Sequence, residues 1–226
     1  MKNNMIPKYL PMWSGLATVL FWSSVACSTN AAESSADGLD EPLTLPAPSL
    51  WQAGVGEGFT RGAKELSLSG GIGFGSPIFG SIEHHDWVIG VVEFGWVFSE
   101  VQGKGHWYQG NFELLGDLFG GMQFHPEHAY LVGMAPILRY DFATGTRFVP
   151  FVDIGGGVTS TDIRNPDLST PFEFNLQLGG GTHYFLRENL ALTVQYRFIH
   201  LSNAGISSPN LGVNTSTIFA GVSWFF

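Results

Sequence analysis

His200 and Ser202 are the residues of this chain whose types and spacing most directly permit chemistry. They end an alternating run, Tyr196-Arg197-Phe198-Ile199-His200-Leu201-Ser202. Asn203-Ala204-Gly205-Ile206 follows, and then Pro209-Asn210-Leu211-Gly212-Val213-Asn214. In a strand, residues i and i+2 share one face with Cα atoms roughly 7 Å apart, so an imidazole and a hydroxyl at that spacing can meet. An imidazole beside a hydroxyl is the minimum apparatus for an activated serine nucleophile. Taken alone, the His-x-Ser pair fits better a polar collar where a strand leaves a membrane. Other patterns are weaker. No Gly-x-Ser-x-Gly elbow or phosphate loop occurs, and no helical pattern follows Gly71-Ile72-Gly73-Phe74-Gly75. His125-Pro126-Glu127-His128 has metal-ligand residue types without a visible third ligand and reads as a tight turn, so neither a metal nor a cofactor is expected. His84-His85 reads as part of a solvated loop.

The pair sits within a series of alternating segments separated by turn residues. Eight strands are expected, at about 63–75, 86–99, 110–124, 129–143, 148–160, 172–186, 189–202 and 215–226. In the sixth, Phe172, Phe174, Leu176 and Leu178 alternate with Glu173, Asn175, Gln177 and Gly179. In the last, Ile218, Ala220, Val222, Trp224 and Phe226 share a face, and the chain ends on that aromatic. Glycine runs at 70–71, 120–121, 155–157 and 179–181 fall inside strands, where they suit the close backbone approach of a narrow barrel.

Composition narrows the class. Of 226 residues, 14% are aromatic, only 13% are charged and 30 are glycine. That profile, without long apolar runs, suits a β-barrel. The net charge of -9 argues against nucleic-acid partners. Residues 1–26 read as a signal peptide, with Lys2 and Lys8 before an apolar core. Cleavage falls after Ala26 or as late as Ala32. Residues 27–49 read as a polar, flexible linker, and 50–226 as the barrel. Cys27 has no internal disulfide partner, and its position leaves lipidation open.

The expected fold class is therefore all-β: an eight-stranded antiparallel transmembrane β-barrel of the bacterial outer membrane. Eight strands leave a lumen that side chains fill. A packed polar core is expected there, with Glu93, Glu113, Asp117, Asp141 and Asp153 facing Arg139 and Arg197. In the seventh strand Leu190, Leu192, Val194, Tyr196 and Phe198 share a face that His200 and Ser202 continue, opposite Thr193, Gln195 and Arg197. The pair should thus lie outside the barrel, at the extracellular rim, facing lipid.

The run His200-x-Ser202-Asn203-Ala204-Gly205, then Pro209-Asn210-x-Gly212, resembles the lipid A 3-O-deacylase (PagL-type) family, most strongly over residues 196–214. The resemblance implies hydrolysis of an ester-linked acyl chain on lipid A (lipopolysaccharide) in the outer leaflet of the outer membrane. It makes His200 the general base, Ser202 the nucleophile and Asn203 part of the oxyanion hole. Where the best-known members carry a glutamate, this chain has Asn214, and no Asp or Glu follows Glu188. An amide can orient an imidazole but cannot stabilise imidazolium by charge. Asp162 or Asp167 are the candidate substitutes. No further substrate-binding residue and no oligomeric state is legible. Two rival readings remain: a non-catalytic barrel serving adhesion, envelope integrity or stress resistance, and a soluble ligand-binding barrel exported to the periplasm.

Overall fold

The computed structural model describes residues 49–164 and 166–226. The expected signal peptide, Cys27 and all of the expected linker but its last residue lie outside them. Eight strands form: β1 (Lys64–Gly75), β2 (Asp86–Val97), β3 (Gly110–His125), β4 (Ala129–Phe142), β5 (Phe148–Thr161), β6 (Phe172–Arg187), β7 (Leu190–Ser202) and β8 (Val213–Phe225). Each pairs antiparallel with the next, and β1 pairs with β8 to close the barrel. Four loops meet at the rim opposite Phe226 and the start of β1: loop 1 (76–85), loop 2 (126–128), loop 3 (162–171) and loop 4 (203–212).

The alternation resolves as a membrane barrel resolves it. Phe172, Phe174, Leu176, Trp224 and Phe226 are exposed on the outer wall, while Glu113, Asp117, Arg139, Asp153 and Arg197 are buried inside. A soluble barrel would reverse this arrangement, so the soluble reading is set aside. The glycines let strands approach. A Cβ on Gly179 would lie 2.4 Å from the Tyr196 carbonyl oxygen and 2.8 Å from Asp153 Oδ1.

The lumen differs from a uniformly polar core. A belt of charge crosses its middle. Arg139 meets Glu65 at 2.9 Å, Glu93 at 3.4 Å and Asp153 at 3.7 Å. Arg197 pairs with Glu93 and Asp117, and approaches Asp153 at 3.5 Å. Glu65 was not among the expected partners, and Asp141 lies 3.8 Å from His183 rather than against an arginine. Apolar clusters cap the belt at both ends. Near the loops they include Trp87, Phe119, Leu201 and Phe219. At the other end Phe185 and Phe225 pack against Trp51 and Phe59, which belong to the segment preceding β1. That segment is fastened by Trp51 Nε1 donating to the Glu188 carbonyl at 2.9 Å. Where the belt meets the cap near the loops, the void between Trp87, Asp117, Arg197 and Phe219 is about 10 Å³, room for one water at most.

Removing one partner from a buried charge network leaves the others uncompensated. Arg197→Ala should lower stability by about 3–5 kcal/mol. The readout is the urea midpoint at which the heat-modifiable folded band disappears. Leu68→Ala, on the lipid face, should leave that midpoint nearly unchanged.

Candidate active site

β7 carries His200 and Ser202 to the rim opposite Phe226, both half-buried on the outer face. β8 begins at Val213, two residues earlier than expected, so Asn214 lies within the strand and pairs directly with His200. The cross-strand pair makes a hydrogen bond: His200 Nδ1 lies 2.7 Å from Asn214 Oδ1. The amide's other end fixes its orientation. Asn214 Nδ2 donates to the Ile78 carbonyl in loop 1 at 2.7 Å, so Oδ1 must be the atom facing the imidazole. An amide oxygen only accepts, so Nδ1 carries the proton. In the neutral ring Nε2 is then the basic nitrogen.

Loop 4 closes over the same ring. Gly212 has φ +83°, and a Cβ there would lie 2.7 Å from His200 Cε1. Only glycine suits both the left-handed backbone and the contact. Loop 1 supplies another wall. Phe79 lies edge-on to Phe198, with ring centroids 6.4 Å apart. Phe79 and Ala204 are the two non-glycine residues with positive φ among those described, at 54° and 55°, and both flank this site.

A groove of about 440 Å³ opens beside His200 on the lipid face. Its walls are apolar, chiefly Phe79, Ile154, Leu176, Leu178 and Phe198. Ile154 and Leu178 also border a second furrow of about 250 Å³ that continues across β5 toward Tyr140 on β4.

Not every expected residue stands where expected. No hydrogen bond joins Ser202 Oγ to His200 among the described residues. Asn203, expected in an oxyanion hole, is buried and turned into loop 4. Its Nδ2 donates to Ser169 Oγ and the Ser207 carbonyl at 3.2 and 3.1 Å. Its Oδ1 accepts from the Gly205 amide, and its own amide donates to Asn210 Oδ1. Asn203 therefore offers no free N–H in this conformation and acts as the staple of the loop. The neighbouring Ala204 is exposed, and its N–H makes no hydrogen bond among the described residues.

Asp162 and Asp167 do not replace the missing glutamate. Asp162 Oδ1 accepts from the Tyr130 amide at 2.7 Å. Asp167 is buried against loop 1 and bonds His85 Nε2 at 2.9 Å. His85 is also buried, contrary to its reading as a solvated loop residue. A signal for it existed: His85, Trp87, Ile89 and Val91 share the inward face of β2 once the period of two is run back. Asp167 had no such signal.

Comparison with known proteins bears on the whole arrangement. The family model described as lipid A 3-O-deacylase (PagL) matches residues 87–223. The chain belongs to this family. A relative, lipid A deacylase PagL of Pseudomonas aeruginosa, is 29% identical over 103 residues, 44% of this chain and 56% of the relative. The match thus spans little more than half of that protein. The crystal structure of the outer membrane enzyme PagL superposes with a TM-score of 0.54 at 20% identity, covering 69% of this chain and 97% of that one. Neisserial surface protein A superposes with the same TM-score, 0.54, at 16% identity, covering 74% and 100%. These two likenesses speak to the fold. With the apolar outer wall and the family, they place the chain among outer-membrane barrels.

The amide pairing makes a prediction that needs no substrate. In ¹⁵N-histidine NMR of the detergent-solubilised barrel, neutral His200 should be held as the Nδ1–H tautomer. Asn214→Ala should release it to the mixture of an unconstrained imidazole. An Nε2–H tautomer in the wild type would contradict the hydrogen bond described.

Proposed function

We propose that this barrel is a lipid A deacylase, hydrolysing an ester-linked acyl chain of a lipopolysaccharide molecule already seated in the outer leaflet. The observation that carries the reading is the oriented imidazole of His200 at the mouth of an apolar groove on the lipid-facing wall. Family membership supports it. In this scheme the acyl chain lies along Leu176, Leu178 and Ile154. Its ester carbonyl then reaches the rim where Ser202 stands.

The roles follow from the atoms. His200 Nε2 takes the Ser202 proton as Oγ attacks the ester carbon, and returns it to the departing sugar hydroxyl. Water then cleaves the acyl-serine by the same route in reverse. Asn214 holds the tautomer that leaves Nε2 free. The Ala204 N–H, which makes no hydrogen bond among the described residues, is one donor to the oxyanion. The hydrogen bond between Ser202 and His200 closes when substrate fills the groove, a common difference between free and loaded sites. For export we retain residues 1–26 as the signal and 27–49 as the linker. N-terminal sequencing of the mature protein tests both boundaries.

The decisive experiment is mass spectrometry of lipid A from cells with and without the protein. Wild type should release one acyl chain. Ser202→Ala and His200→Ala should each lower the rate by about 10³-fold or more, with the double variant little worse than either, because the two act as a unit. Heat-modifiable folding should persist in all three. The non-catalytic reading is favoured by one observation, the amide at 214 where a carboxylate would stabilise imidazolium. Intact lipid A in the presence of folded wild type would establish it. Full activity in Ser202→Ala would refute the serine mechanism.

A further inference from the structure

Loop 3 supplies a residue that touches neither His200 nor the groove, yet is bonded to both loops that enclose them. The Asp167 carboxylate is fully buried and accepts from four groups of loop 1. Oδ1 takes the Ile82 amide at 2.9 Å. Oδ2 takes the Glu83 amide at 3.1 Å, Ser81 Oγ at 3.2 Å and His85 Nε2 at 2.9 Å. Its main-chain carbonyl faces the other way and accepts the Leu211 and Gly212 amides of loop 4, at 2.9 and 3.2 Å. Burial opposes the charge, but the donors from His85 and the two amides outweigh it and hold the carboxyl below the usual carboxylate range. Loop 2 joins the same knot. His85 Nδ1 lies 2.8 Å from Gln123 Oε1, and Gln123 Nε2 donates to the Glu127 carbonyl at 2.9 Å.

The two loops so tied are those that hold the imidazole. Loop 1 presents the Ile78 carbonyl that fixes the Asn214 amide, and Phe79, which walls the groove. Loop 4 presents Gly212, whose backbone abuts His200 Cε1. We infer that Asp167 is a positioning residue: one buried carboxylate clamps loops 1 and 4 together and thereby sets the orientation of His200. The inference rests on the deacylase reading for its catalytic consequence, but not for the clamp itself. Four hydrogen bonds to one charged acceptor make a stiff anchor, since bonds to charge are the strong ones. Here the anchor substitutes mechanically for an ion pair that the site lacks. With a carboxylate at 214, charge would help hold the ring. With Asn214, the ring depends on the amide staying in place, and the amide depends on loop 1.

The test uses full-length protein folded in detergent, with Asp167→Asn and, separately, His85→Gln, both checked for heat-modifiable folding. Should the first fail to fold, the second carries the test. Two readouts need no turnover. Hydrogen exchange should speed up by about tenfold or more in both loop 1 and loop 4 while the strands keep their protection. The fraction of His200 in the Nδ1–H tautomer should fall. With lipid A as substrate, kcat should drop about tenfold with KM within about twofold, and combination with Asn214→Ala should cost little beyond Asn214→Ala alone, since both act through one imidazole. Faster exchange confined to loop 1, an unchanged His200 tautomer, or losses that simply add would overturn the clamp. A wild type with the expected exchange and tautomer that leaves lipid A intact would overturn the deacylase reading and leave the clamp standing.

Discussion

Hydrocarbon offers backbone N–H and C=O groups no water, so a sheet that crosses a membrane has to close on itself. Most of this structure follows from that constraint. Closure through the β1–β8 pairing satisfies the ladder and divides every strand into an outer and an inner face. The outer face must be apolar. Charges are forced into the lumen, where two arginines pair with carboxylates that outnumber them, between apolar caps. Between the charge belt and the cap near the loops the lumen holds a void of only about 10 Å³. Chemistry is left to the outer wall and its rim, where a strand emerges and polar side chains can coexist with lipid.

That division explains how much the sequence revealed. A period of two with inverted polarity is a strong signal. The strand limits fell within two residues of those observed, and Arg197 and Phe198 were assigned to opposite faces from pattern alone. The same period carried His200 and Ser202 to the outside, and the antiparallel β7–β8 neighbours brought Asn214 within reach of His200. Contacts between irregular segments were not legible. His85 and Asp167 are 82 residues apart in loops without periodicity, and only the folded rim unites them. Trp51 and Phe59 seal the end of the lumen away from the loop rim, from a stretch with no strand pattern. Asn203 reads by likeness as an oxyanion donor, and in the folded rim its amide also holds loop 4 together. A motif gives residue types, but the direction a side chain takes in a loop is set by partners the motif does not contain.

The amide at 214 gives this barrel its particular character. In the proposed mechanism a carboxylate would both orient His200 and stabilise the imidazolium that would form on deprotonating the serine. The amide only orients, but it has a second end, and that end ties the site to loop 1. A glutamate at this position would bring charge and lose the N–H given to Ile78. From sequence alone, Asn214→Glu reads as a gain. In the folded protein the gain is opposed by a carboxylate oxygen facing a carbonyl. Orientation by a network of loops thus stands where charge would otherwise act.

The central claim is a serine nucleophile activated by His200 on the lipid-facing wall. A long-chain alkyl fluorophosphonate, which carries an apolar tail and reacts with activated serines, tests it most directly. After reaction with the detergent-solubilised barrel, peptide mass spectrometry should find one adduct, on Ser202, in the wild type and none in His200→Ala. An unmodified wild type, or equal labelling of Ser202 without His200, would contradict it.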